Sequence, residues 1–323
     1  MSGRSGRRAA RGAWGEGLGT LLLASALFGV MAVCVRAASR SMPATQIVFV
    51  RFAGSLLFML AATRGRGLAP RPGNVGRLLL RGVIGAVAIT LYFVGIEGAG
   101  AGLATLVQNS YPVFAALLAV LLGDEVFTRR LGAALAASMA GAAVILGARV
   151  DLASATTLGV LASMAAAMLS GGAVVAAQKL RRSEGAAIIT TWFMAVGVLL
   201  TSPALLAGLP ELGGELAALL AGVVVTSVLG QWLLHHELGF TSATRGSLAA
   251  ATSVFLAATL EALTLGDVPD LRTVAGAALM LAAVALAWRS AAPVALEGAV
   301  LEGGAAAAPG RVSRVAGRAP AAR

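Results

Sequence analysis

The chain has 323 residues, of which 58% are hydrophobic and 12% charged, about half the charged share of a soluble domain. Twenty-five basic residues against 14 acidic ones give a net charge of +11, and every basic residue except Lys179 is an arginine. The arginines sit in short clusters between apolar runs rather than along one face, which argues for orientation in a membrane and against nucleic acid as a partner.

Residues 1–13 carry Arg4, Arg7, Arg8 and Arg11 among Gly, Ser and Ala and read as a disordered basic tail. The apolar run 18–35 follows, so this start is similar to a signal peptide. Nine further apolar runs make an uncleaved first helix the better reading. Cys34, the single cysteine, lies in this run; it excludes an intramolecular disulfide and reads as a small core residue.

The later runs cover about 43–63, 77–97, 101–122, 131–148, 155–178, 186–207, 214–236, 241–265 and 272–288. Each is near the roughly 20 residues that a helix needs to cross the hydrocarbon, and the strict alternation of a membrane barrel is missing. The predicted fold is therefore an all-α membrane protein of ten transmembrane helices. Its predicted division is a basic cytoplasmic tail (1–13), a first five-helix unit (14–150), a second (151–289) and a disordered cytoplasmic tail (290–323).

With the N-terminus in the cytoplasm, twenty Lys and Arg residues outside the spans fall on the inner side and four on the outer. The prediction is a multi-pass protein of the cytoplasmic membrane with both termini inside. Five is an odd number, so the second unit enters the membrane from the opposite side to the first. Ala115 to Asp124 aligns without gaps to Ala258 to Asp267, with six of ten positions identical, and each block ends in a Gly-Asp turn. Such inverted repeats characterise secondary transporters that expose one central site to each side in turn.

Several polar residues inside the spans can carry that site. Arg51 lies about eight residues into span 2, where burial costs on the order of 2.5–3.5 kcal/mol on insertion scales. It reads as an anchor for an anionic group or as a snorkelling, paired arginine near the outer interface. Glu261 is the one carboxylate deep in an apolar run. It could bind a cation, carry a proton or pair with Arg51, or act as an inward hydrogen-bonding residue.

In span 4, Gln108, Asn109, Ser110, Tyr111 and Pro112 form a polar patch around a helix-loosening proline. They line a substrate path or bond to neighbouring helices. Tyr92, Trp192 and Gln231 are candidate pocket walls, and interface anchoring is their bland reading. Pro112, Asp124, Glu125 and Asp267 are gating or structural candidates. His235 and His236 are adjacent and cannot both ligate one ion well, so no metal site is expected. Gly98, Gly100 and Gly102 lack phosphate-loop spacing and read as close helix packing.

The stretch from Pro112 to Glu125 with the small-residue helix after it, and Pro43 followed by Arg51, resemble EamA-type members of the drug/metabolite transporter superfamily. So do Gly230 to Leu234, Ala243 to Leu248 and the second Gly-Asp turn. The resemblance covers about residues 15–288. The sequence departs from the pattern at Gly-Asp-Glu in the first turn, and Thr252-Ser253-Val254-Phe255 replaces the family's proline in span 9.

The resemblance implies a non-enzymatic secondary carrier of amino acids or related small metabolites, or drugs. It would work by alternating access without a cofactor, with export the commoner direction and proton coupling a hypothesis. Its expected partners are a small-molecule substrate and the lipid bilayer, and a second copy of the chain is admitted. The alternative class is a non-transporting membrane scaffold or a membrane-embedded enzyme acting on lipid.

Overall fold

The structure is a computed structural model that describes residues 3–99, 101–147, 155–208, 212–264 and 271–289. The helices are α1 (Gly3–Ala38), α2 (Ala44–Thr63), α3 (Val75–Ala99), α4 (Ala101–Gln108), α5 (Tyr111–Leu121) and α6 (Arg129–Leu146) in the first half. The second half holds α7 (Thr157–Leu180), α8 (Ala186–Thr201), a 3-10 turn (Ser202–Ala207), α9 (Gly214–Glu237), α10 (Ala243–Ala251), α11 (Ser253–Thr264) and α12 (Leu271–Arg289). No strand occurs among the described residues. Backbone groups in hydrocarbon have no water to bond, so helices satisfy themselves internally.

Nine helical stretches among the described residues are long and apolar enough to cross a membrane, and one of them, Leu103–Leu121, contains the α4–α5 junction. The tenth predicted span is the broken pair α10 and α11, 9 and 12 residues long. Leu57, Leu121, Leu158 and Leu206 stand 67–90% exposed along the outside, as lipid-facing side chains do. The predicted basic tail differs from the structure in one respect. The backbone is helical from Gly3, because Ala and Arg sustain a helix once the apolar segment behind them has formed it. Residues from 290 onward lie outside the described ones.

Three helix starts, those of α6, α7 and α10, follow ordinary capping chemistry. Thr128 accepts from Leu131 N at 3.1 Å, Thr156 from Gly159 N at 3.1 Å and Ser242 from Arg245 N at 3.4 Å. Gly123 closes the α5–α6 turn at φ 73°, which a side chain would strain.

Packing between the halves obeys the inverted repeat. α3 lies on α7 as α1 lies on α9; α3 meets α8 as α9 meets α2; α5 meets α7 as α11 meets α1. The pairs α6–α12 and α2–α8 map onto themselves under the same exchange. Small residues permit the closest approaches. A Cβ on Gly98 would stand 2.8 Å from Gly159 Cα, and one on Gly141 would stand 2.7 Å from Gly276 O. Close packing is thus what Gly98 provides, as expected.

Candidate functional site

Both fourth helices of the repeats are broken inside the membrane. In the first, Pro112 at the start of α5 has no N–H, and the chain turns at Asn109 and Ser110. Side chains take up carbonyls near the break. Asn109 Nδ2 donates to Thr105 O at 2.9 Å and Ser110 Oγ to Val107 O at 2.7 Å. In the second repeat the proline is missing, yet the helix also breaks, at Thr252. Thr252 Oγ1 donates to Ala249 O at 2.6 Å, and Ser25 Oγ of α1 lies 2.8 Å from Ala249 O and 3.0 Å from Ala250 O. Hydroxyls from two helices do at Thr252 what the proline does at Asn109. Thr252 stands out in the sequence only as the place of the missing proline, and Ser25 does not stand out at all.

The first break is tied to α10, the helix that leads into the second. Tyr111 OH, beside the first, donates to Ser247 O of α10 at 2.8 Å. Around the first break, Gln108 Nε2 donates to Ser170 Oγ at 2.8 Å, while its Oε1 is buried without a protein partner. Tyr92 OH and Thr105 Oγ1 are 2.7 Å apart, joining α3 to α4.

One face of α9 supplies the remaining polar groups. Ser227, Gln231 and His235 recur every four residues and so lie along one stripe. Arg51 Nε donates to Ser227 Oγ at 2.6 Å. No carboxylate lies within ion-pair distance of Arg51 among the described residues, and its side chain is only half-buried. Two turns further on, Arg81 Nη2 lies 3.0 Å from His235 Nε2, and Thr190 Oγ1 lies 2.8 Å from His235 Nδ1. A guanidinium only donates, so Nε2 must accept and the Nδ1 proton goes to Thr190.

This second cluster is built for Arg81. The guanidinium stacks on the Phe193 ring at 4.3 Å, and a Cβ on Gly85 would meet Arg81 Nη1 at 2.5 Å, so only glycine leaves it room. Arg81 is 4% exposed, and its Nε and Nη1 have no hydrogen-bond partner among the described residues. By sequence it belongs with Arg77 to the charged inner flank of span 3; the structure moves it inside α3. The signal was its place within the apolar run Leu78 to Val83.

The remaining candidates fall elsewhere. Trp192, nearly two turns into α8, donates from Nε1 to Leu68 O of the α2–α3 loop at 3.4 Å. Asp124 is held by Lys179 Nζ at 2.9 Å and Arg182 Nη2 at 3.0 Å, from the end of α7. Glu125 Oε1 accepts from Thr244 N at 3.2 Å, capping α10. Both turn carboxylates thus bind the opposite half. The Glu261 backbone belongs to α11, but its side chain lies outside the described ones, and Asp267 lies outside the described residues altogether.

A family model described as the EamA-like transporter family matches residues 15–147 and again 157–289, one copy for each half of the fold. The chain belongs to the EamA-like transporter family. It is also similar to the pseudopaline exporter CntI from two strains of Pseudomonas aeruginosa. Against strain UCBPP-PA14 it is 30% identical over 264 residues, covering 81% of this chain and 92% of the relative. Against strain PAO1 it is 30% identical over 268 residues with the same coverage. A solved crystal structure superposes with a TM-score of 0.69 at 20% identity, covering 88% of this chain and 98% of that one, which speaks to fold alone. This EamA-like chain is therefore a multi-pass membrane transporter, and the broken helices with the α9 stripe are its candidate transport path.

Proposed function

We propose that this protein is a secondary active exporter of amino acids or related small metabolites, working by alternating access across the cytoplasmic membrane with both termini inside. The observation that carries the reading is Arg51, which lies eight residues into α2, on Ser227, with no acidic partner among the described residues. A guanidinium in that setting is costly unless a bound anion completes it, so the substrate carries a carboxylate or a comparable anionic group. The free Oε1 of Gln108 offers an acceptor beside the first break for a substrate N–H.

The two breaks give the halves a means to move. Each short helix can tilt about its junction without disturbing a full membrane helix, and Tyr111 to Ser247 couples the first junction to α10. On the inner face, Asp124 and Glu125 hold the halves together through Lys179, Arg182 and Thr244. Releasing these ties opens the path to the cytoplasm. The similarity to exporters supports export as the direction. Proton coupling through Glu261 belongs to the same proposal: replacing Glu261 with Gln then slows transport and removes its pH dependence.

The direct experiment is reconstitution in vesicles and counterflow of amino acids and their N-substituted derivatives, with and without a pH gradient. Saturable exchange confined to compounds bearing a carboxylate supports the reading. Exchange of cationic drugs with no carboxylate requirement, or no exchange by folded protein, refutes it.

A further inference from the structure

The α5–α6 hairpin carries a lipid-facing crevice of about 290 Å³. Its walls are Val113 and Leu117 of α5, Phe127 of the turn, and Gly132, Ala136 and Met139 of α6, with no polar surface. Gly132 shapes it: a Cβ there would come within 3.2 Å of the Phe127 ring, which lies over the bare glycine backbone.

The crevice has a charged end. Arg129, Gly132, Ala136 and Met139 follow one another by three, four and three residues, so Arg129 heads the same face of α6. Arg130 stands beside it. Both are exposed and form no hydrogen bond or ion pair with any described residue. The carboxylates of the same turn do not neutralise them, because Asp124 is taken by Lys179 and Arg182, and Glu125 by the α10 backbone. From Arg129 to Met139 the helix rises about 15 Å, half of a hydrocarbon core about 30 Å thick. An apolar slot and its charged head that together reach one leaflet deep, with two unpaired cations at the headgroup level, have the dimensions and charge of an anionic phospholipid.

We infer that this crevice is a binding site for an anionic phospholipid, with one acyl chain between α5 and α6 and the phosphate on Arg129 and Arg130. The leaflet assignment, cytoplasmic, rests on the orientation proposed above; the site itself does not. Arginine clusters at membrane helix ends attract anionic headgroups through their charge. What sets this site apart is the slot that continues from the charges into the hydrocarbon.

The test uses the full chain purified in detergent, with retained lipid counted by native mass spectrometry. The probes are phosphatidylglycerol, phosphatidylcholine of the same chains, and chain-free glycerol phosphate. One phosphatidylglycerol per chain is expected to bind at least tenfold more tightly than phosphatidylcholine, with glycerol phosphate not retained. The double substitution R129Q/R130Q should remove the preference between headgroups. Ala136→Leu, at an exposed position where a larger side chain fills the slot without touching the core, should expel the lipid with both arginines in place. As a control for diffuse attraction, R64Q/R66Q removes two charges from the α2–α3 loop and should change nothing. The inference fails if the two lipids bind alike, if Ala136→Leu retains full affinity, or if R64Q/R66Q costs as much as R129Q/R130Q. Binding is read without transport, so its failure and a failure of the exporter reading are separate results.

Discussion

Arg51 and Arg81 are both guanidiniums inside the membrane, yet their surroundings give them different work. Arg51 is half-buried and makes one hydrogen bond, to Ser227, which leaves donors for a ligand. Substituting Arg51 with Gln should leave the fold intact and lower transport of carboxylate substrates at least tenfold. Arg51→Lys should retain part of the activity, because it keeps the charge and loses the planar fork. Vesicle uptake beside thermal unfolding of the same preparations decides this; equal loss of both would make Arg51 structural. Arg81 is enclosed by Phe193, Gly85 and His235. Replacing His235 with Leu removes its acceptor and leaves a buried charged donor short, at a cost of about 2–3 kcal/mol. Thermal unfolding in detergent should show the drop, with His235→Gln milder because an amide oxygen can still accept.

At the scale of elements, the lesson is in the fourth helix of each half. Pro112 makes the first break legible in the sequence. The second arises without a proline, because Ser25 reaches across from α1 to carbonyls that α10 leaves open and Thr252 bonds back to Ala249. Ser25→Ala should destabilise the protein by about 1 kcal/mol, the usual net worth of a buried hydrogen bond. It should also slow transport, since α10 then loses the contact that holds its break in register. Unchanged transport kinetics in that variant would show the break to be independent of α1.

Across the whole molecule, two five-helix halves face each other with matching contacts, and the face that the proposed orientation puts inside is closed by Asp124 with Lys179 and Arg182 and by Glu125 on α10. Ion pairs of this exposure contribute little to global stability, about 1 kcal/mol at most. The same energy is enough to shift a balanced two-state equilibrium several-fold. Asp124→Asn should therefore leave thermal unfolding nearly unchanged and raise access from the cytoplasmic side. A cysteine at Ser170, in a Cys34→Ser background, should react several-fold faster with an impermeant maleimide from that side. An unchanged rate would mean that these pairs are not the latch.

The sequence by itself determined the class, the ten crossings and the two-half organisation. Each of these is a property of local stretches: runs near twenty apolar residues, and a Gly-Asp turn repeated after each fourth span. It also pointed to Arg51, Gln108 and Tyr111, because a polar group in an apolar run is visible in one dimension. Only the tertiary structure decided which of those groups meet. His235 read as one of an idle pair, and becomes the acceptor for Arg81 because α3, α8 and α9 converge there. Trp192 read as a pocket wall or an anchor, and lies at the Leu68 carbonyl of the α2–α3 loop. Asp124 and Glu125 read as a turn, and reach across to α7 and α10. The physical reason is that local hydrophobicity fixes where a helix forms, whereas the rotation and depth of each helix against its neighbours fix which side chains share a partner.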